Sequence, residues 1–281
     1  MNAFTMNHVT KRFDEFALED ITLDLPEGLI MGLVGENGAG KTTLIKSLLG
    51  IHPIDSGSLS ILGCTDPHRE KSIMNDIGAV SDEMPLPLQL TLNETGRVFR
   101  SFYQNWDEAL FQSFIRRLNV PADKQYYQLS RGNKMKAEIV CALSHHPKLL
   151  VLDEATSGLD PVVRDELIDI LLEFTRDEQH SILLSSHIIS DLEKACDLIT
   201  FLHNGKLLLS EEKDVLLESY GLIHCPLDQL SLLEQHAVLG KRITPYGAEA
   251  VVRRDQIPDS FDVKPVNLEE LFVQMVKGES L

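Results

Sequence analysis

Gly35-Glu36-Asn37-Gly38-Ala39-Gly40-Lys41-Thr42 limits what this chain can fold into more than any other stretch. It fits the pattern G-x-x-x-x-G-K-[ST], which has a physical meaning only between a strand and a helix. Both are written into the flanks. Leu29-Ile30-Met31-Gly32-Leu33-Val34 is a short apolar strand candidate, and Thr43-Leu44-Ile45-Lys46-Ser47-Leu48-Leu49 is a helix candidate. Glycines let the backbone wrap closely around an anion and turn its N–H groups inward. The helix that follows presents the positive end of its dipole. The expectation is a phosphate cradle over Gly35–Thr43, with Lys41 reaching the β- and γ-phosphates of a nucleotide and the Thr42 hydroxyl on Mg²⁺.

The 281 residues leave room for one large domain and a small one, or for two modest ones. No apolar run approaches the roughly 18 residues of a membrane helix. No basic-then-apolar leader opens the sequence, so no secretory signal is expected. Cys64, Cys141, Cys196 and Cys225 are scattered without a C-x-x-C, which argues against a disulfide framework or a zinc site and fits a reduced compartment. Asn93-Glu94-Thr95 matches a glycosylation sequon that carries no weight without secretion. A net charge of −17 argues against a nucleic-acid footprint, which needs clustered Lys and Arg, and against docking on anionic lipid.

Ala3–Thr10 and Asp20–Leu25 alternate apolar and polar residues, as half-buried strands do, and predict an antiparallel flank. Ser58–Leu62 and Asp76–Val80 are further strands. From Thr91 to about Pro147 helical spacing takes over, with Leu110, Phe114, Ile115 and Leu118 as one stripe, and predicts a helical insertion. Lys148–Leu152 is a continuous apolar run that suits a strand buried on both faces of a parallel sheet, and it ends in Asp153-Glu154. Pro161–Arg176 reads as a helix capped by Asp160. A strand at Ser181–Ser185, a helix at Ile188–Cys196 and a hairpin about Asn204-Gly205 follow. After about Glu212 the pattern loosens: a helix candidate, a short strand at Glu249–Arg253, and a last helix with Asn267 as N-cap and Leu268, Leu271, Phe272, Met275 and Val276 as its apolar stripe. The fold class expected is α/β, a mainly parallel sheet with a phosphate loop, an antiparallel β flank, a helical subdomain inserted over about 84–147, and a small C-terminal α+β extension over 213–281.

Further pieces fall in a fixed order. Leu129-Ser130-Arg131-Gly132-Asn133 resembles the signature loop L-S-G-G-Q of ATP-binding-cassette (ABC) ATPases. Leu149–Glu154 resembles their Walker B strand, Ser157-Gly158-Leu159-Asp160 their D-loop, and Ser185-Ser186-His187 their switch histidine. Phe13 sits where the family places an aromatic under the adenine. The resemblance covers residues 1–212 and implies the cofactors ATP and Mg²⁺. It implies that Asp153 holds Mg²⁺, that Glu154 polarises the attacking water as general base, and that His187 senses the γ-phosphate. It implies further that Ser130 and the Gly132 N–H complete the phosphate cage of another protomer, with Asp160 at the same junction, so that ATP holds a head-to-tail dimer together and hydrolysis releases it. Asp160 has a second role as helix cap, and the two are compatible. The remaining histidines read as structural.

Two positions depart from the family pattern. Asp82 stands where the family has the Q-loop Gln; it is expected to ligate Mg²⁺ and to act beside the catalytic groups, but a carboxylate only accepts hydrogen bonds where the amide also donates. Arg131 and Asn133 replace the first Gly and the Gln of the signature, and Arg131 either adds a cation near the partner's phosphates or points to solvent.

The chain holds one cassette, without tandem, coiled-coil or zinc insertions. The resemblance therefore implies the ATPase subunit of a transporter whose permease is a separate membrane chain, working as a homodimer or with a different cassette at the cytoplasmic face of the membrane. Glu249–Asp255 and Val266–Phe272 look like the tails of ATPases serving exporters of peptides, antibiotics or lipids; the same segment reads equally as a packing strap. Met84–Leu90, apolar and Pro-stiffened, is either a wall of the permease groove or a linker. The alternative from another class is a regulatory or sensing ATPase acting on a signalling or ribosomal partner.

Overall fold

A computed structural model describes residues 1–67, 69–81, 85–245 and 247–277. The chain opens with β1 (Asn2–Arg12) and β2 (Ala17–Pro26), then β3 (Ile30–Val34), α1 (Lys41–Leu48), β4 (Ser56–Ile61) and β5 (Ile77–Ser81). The flank expected from alternation forms: β2, β1 and β4 pair antiparallel in that order, and β2 turns Leu18, Ile21, Leu23 and Leu25 inward. Three helices follow, α2 (Leu92–Phe102), α3 (Glu108–Arg117) and α4 (Arg131–Leu143). Each has a side-chain cap that fixes where it starts: Thr91 in a capping box with Glu94, Asp107, and Ser130. The apolar stripe of α3 is rotated from the expected one. Phe111 is the fully buried residue, its ring filling the notch left by Gly96, with Ile115 and Leu118; Leu110 and Phe114 are only half-buried.

The frame resumes with β6 (Leu149–Asp153), α5 (Pro161–Phe174), β7 (Ser181–Ser185), α6 (Ile189–Ala195), β8 (Leu198–His203) and β9 (Lys206–Glu212). The central sheet has the order β5-β6-β7-β3-β8-β9, parallel except for β9, which returns through the Asn204-Gly205 turn. Strands β3, β6 and β7 are buried at every residue. Alternation still acts within them. Leu149, Val151 and Leu183 face the core shared with the antiparallel sheet, and Leu150, Leu152, Ile182 and Leu184 face the core shared with the helices.

The last stretch contains α7 (Lys213–Ser219), β10 (Tyr220–Cys225), α8 (Leu227–Leu230), β11 (Val238–Thr244), β12 (Gly247–Arg253), β13 (Lys264–Pro265) and α9 (Leu268–Lys277). Its four strands form a second antiparallel sheet, β11-β12-β10-β13. One face carries a small core of its own, including Ile223, Leu230, Leu233 and Val252. The other face contributes Leu222 and Val251 to the main core. Asn267 caps α9 reciprocally with Glu270: the Glu270 N–H donates to Asn267 Oδ1 (2.8 Å) and the Asn267 N–H to Glu270 Oε2 (3.1 Å). The helix then sets Phe272 edge-on to Phe201 of β8, ring centres 5.1 Å apart.

His145, just after α4, ties the helical insertion to the sheet. It is 1% exposed, stacks on Tyr103 (4.0 Å), and has Nε2 3.1 Å from the Ile77 carbonyl and Nδ1 3.4 Å from that of Cys141. Burial is the largest effect and lowers its pKa, against the opposing pull of the two carbonyls. The unfolded chain therefore binds this proton first, near the ordinary histidine value of about 6.5. Stability from neutral His145 is present above that pH and is lost as pH falls below it. Urea unfolding is expected to show a lower midpoint at pH 5.5 than at 7.5, with a smaller drop in His145→Phe. An equal drop in both proteins would exclude His145 as the source. Asp107 and Glu173, held below their ordinary carboxylate values by hydrogen bonds, contribute their loss only in more acidic solution.

Candidate functional site

The loop from β3 to α1 wraps an open space. The Ala39 N–H donates to the Glu36 carbonyl (3.1 Å), and the Gly205 N–H holds the Ala39 carbonyl from outside (2.9 Å). Gly40 caps α1 with φ 109°, and a Cβ there would stand 2.6 Å from the Phe16 ring, so both backbone and space demand glycine. No side chain caps α1 and no acidic residue stands in its first turn. Its free N–H groups and the positive end of its dipole are left for an external anion. Lys41 lies at the floor, 6% exposed, donating to the Gly35 carbonyl (2.7 Å) with Nζ 3.3 Å from Glu154 Oε1.

Strand order brings the other groups here. With β7 between β6 and β3, the carboxyl ends of three parallel strands open on one crevice. Asp153 closes β6, 4% exposed. Its Oδ2 accepts from Thr42 Oγ1 (2.8 Å), 111 residues away in sequence, and its Oδ1 from Ser185 Oγ (2.6 Å). Glu154 turns the chain out of the strand with φ 57°, a conformation costing a non-glycine residue about 1–3 kcal/mol. Its N–H donates to the Ser185 side chain and lies 3.1 Å from the Ser185 carbonyl. The turn aims the Glu154 carboxylate at Lys41 and at His187, whose Nδ1 is 2.5 Å from Oε2. Thr156 and Ser186, both fully buried, join the two loops hydroxyl to hydroxyl at 3.2 Å.

These groups surround a cleft of about 590 Å³, lined by Glu36, Asn37, Gly38, Thr43 and Ser157 besides Lys41, Thr42, Glu154 and His187. Gly35 and Ala39 support the loop from behind, and Asp153 sits beneath Thr42. Ser130 caps α4 through the Asn133 N–H, and Asp160 caps α5 through the Val163 N–H (3.1 Å); neither lines this cleft, nor does Gly132. Phe13 is not at the cleft. It is 44% exposed and set edge-on to His52 at 5.4 Å, and the aromatic that lines the cleft is Phe16, brought back by the turn in which the Phe13 N–H donates to the Phe16 carbonyl. Both phenylalanines stand in one short turn, so spacing alone could not choose between them. Asp82 lies outside the described residues. Arg131 and Ser157 line the cleft without having been expected there.

The oxygen donors suit a hard cation. Thr42 Oγ1 and Asp153 Oδ2 meet beside the phosphate loop, 2.8 Å apart. Among the described residues no three His, Cys, Asp or Glu cluster as a ready-made cage. A magnesium ion held by Thr42 and Asp153 would complete its shell with phosphate oxygens and water, as this ion commonly does.

A family model described as ABC transporter matches residues 18–157. The chain is 30% identical over 296 residues to the uncharacterized ABC transporter ATP-binding protein YhaQ of Bacillus subtilis, covering 97% of this chain and 98% of that one. It is 34% identical over 199 residues to the lantibiotic transport ATP-binding protein SrtF of Streptococcus pyogenes, covering 70% and 85%. A solved structure described as an ATP-binding subunit of an ABC transporter superposes with TM-score 0.68 at 29% identity, covering 75% of this chain and 90% of that one.

Proposed function

This chain belongs to the ABC transporter ATP-binding proteins, and we propose that it powers an exporter whose membrane channel is a separate polypeptide. The observation that carries the reading is the convergence on one cleft of the phosphate loop, Asp153, Glu154 and His187 from three parallel strands. The first turn of α1 and Lys41 would hold the ATP phosphates. Thr42 and Asp153 would hold Mg²⁺, with Asp82 as the further ligand this reading assigns, and the ion would supply charge neutralisation to the phosphates. Glu154 takes the proton of the attacking water, and His187, hydrogen-bonded to it, marks the terminal phosphate. Ser130 and Gly132 of a second cassette close the site from the other side, with Asp160 at the junction. Residues 1–212 form the cassette, with the helical subdomain over 84–147, and 213–281 an accessory region. The cargo in this reading is a peptide, antibiotic or lipid, and the likeness to a lantibiotic transport protein supports the peptide antibiotic among them.

Among the described residues no helix is long and apolar enough to cross a membrane, so the permease is a separate partner in this reading and the cassette is held at the cytoplasmic face through it. The docking groove is the cleft of about 310 Å³ lined by Pro85, Leu88, Tyr126, Lys134 and Met135. Leu88, about half exposed, is an apolar residue of its lining, and its carbonyl accepts from the N–H of Tyr127 (3.1 Å). The test is co-purification of a polytopic membrane protein from detergent-extracted membranes. Leu88→Asp is expected to lose that partner while keeping the ATPase rate of the isolated chain. Failure of any polytopic membrane protein to co-purify would instead favour a regulatory ATPase.

A further inference from the structure

Ser185 closes β7, whose middle three residues are apolar, and is fully buried. A buried hydroxyl costs stability unless its hydrogen bonds are made. Those of Ser185 are made to the site. Parallel pairing sets Ser81, Asp153 and Ser185 side by side at the ends of β5, β6 and β7, all three buried. Ser185 Oγ lies 2.6 Å from Asp153 Oδ1, the length of a hydroxyl bonded to a charged oxygen. The Glu154 N–H donates to the same Oγ at 3.1 Å. A carboxylate only accepts and an amide N–H only donates, so the hydroxyl has one orientation: its proton on Asp153, a lone pair toward Glu154. The other oxygen of Asp153, Oδ2, is left toward Thr42 (2.8 Å) and Ser81 (3.5 Å).

We propose that Ser185 is a positioning residue for the metal-binding carboxylate, and that its one hydroxyl ties both acids of the site together. The inference rests on the ATP reading above and extends it to a residue that does not line the cleft. By holding Oδ1, Ser185 stops the Asp153 carboxylate from rotating, so that Oδ2 stays beside Thr42 Oγ1, where those two would hold Mg²⁺. Through the Glu154 N–H it joins the same carboxylate to the turn at φ 57° that aims Glu154 at Lys41 and His187. The Ser185 carbonyl also lies 3.1 Å from that N–H. Removing the hydroxyl therefore leaves the turn a partner but takes this donor from Asp153 Oδ1. The larger effect falls on the metal rather than on the base.

The experiment is equilibrium binding of AMP-PNP to the purified chain along a Mg²⁺ series, and again in EDTA. Ser185→Ala is expected to raise the Mg²⁺ concentration that gives half of the metal-dependent tightening by about tenfold or more, the usual worth of a hydrogen-bond partner to a ligating group. Affinity in EDTA should stay within about twofold, because the phosphates rest on the helix N-terminus and Lys41. Ser185→Cys, which keeps a weak donor in the same place, should shift the Mg²⁺ series in the same direction by less. In an Asp153→Asn background Ser185→Ala should add little, since it acts through that carboxylate. Urea unfolding checks that the variants are folded, and Ser185→Cys carries the test alone where Ser185→Ala is not. Unchanged Mg²⁺ dependence in the folded Ser185 variants overturns the proposal. So does an equal loss in EDTA and in Mg²⁺, or a full further loss in Asp153→Asn, since either takes the effect away from the metal-binding carboxylate. Wild type that binds no AMP-PNP would overturn the ATP reading itself, which is told apart from a wild type that responds to Mg²⁺ and variants that match it.

Discussion

Glu154→Gln is expected to lower steady-state ATP turnover by about 10²–10⁴-fold while leaving ATP bound. The substitution keeps size and hydrogen-bonding oxygen but cannot take a proton from water. It also removes a negative charge 3.3 Å from Lys41 Nζ, freeing that cation for the phosphates, so ATP affinity should hold or rise. With hydrolysis blocked, the nucleotide-held dimer should accumulate, and light scattering with Mg·ATP should report twice the mass seen with ADP. Turnover within tenfold of wild type would remove Glu154 from the role of base. A variant that binds ATP and stays monomeric would exclude the homodimer and point to a different cassette as the partner. The strained φ of Glu154 is part of this expectation. Glutamine accepts the same backbone conformation at similar cost, so a loss of activity is not a loss of the turn.

Phe201→Ala is expected to destabilise the chain by about 3–5 kcal/mol in urea unfolding, the range for emptying a fully buried phenylalanine site. Phe201 is 0% exposed and meets Phe272 of α9 edge to face. Phe272→Ala should cost less, because that ring is 7% exposed, and the double variant should fall short of the sum because the two share one contact. This pair bears on the division of the chain near residue 212. The accessory region sends α9 back into the cassette core, where Leu268 and Leu271 are also fully buried. A fragment ending at Glu212 is therefore expected to expose the Phe201 face and aggregate. A stable, soluble fragment, or a loss under about 1 kcal/mol in Phe201→Ala, would show that the C-terminal region is a separable appendage.

Much of the fold was legible because its causes are local. Strand β2 alternates because one face meets the core and the other water. Asp160-Pro161 and Asn267 start helices because their side chains or ring geometry satisfy the first turn. Asn204-Gly205 turns a hairpin because both residues accept positive φ, here 47° and 74°. The stripe of α3 includes Ile115 and Leu118 as expected but centres on Phe111 rather than Leu110 and Phe114, since all of them fit a helical repeat and the notch at Gly96 receives Phe111. The strands β10 and β11 were not foreseen, since their short apolar pieces gain meaning only when paired with each other through β12.

The sequence by itself determined the phosphate loop, the apolar strands that need cover on both faces, and the acids placed at a strand end. These depend on neighbours within a few positions, where periodicity, caps and glycine act. The tertiary structure alone decided which groups share the cleft. Placing β7 between β6 and β3 is what carries Asp153 to Thr42 and Glu154 to Lys41 and His187. It also decided that Phe16 rather than Phe13 faces the cleft, and that Arg131 leans on Gly158 toward it. Strand order and side-chain direction are fixed by packing between segments far apart in the chain, and no local repeat encodes a distance across the core.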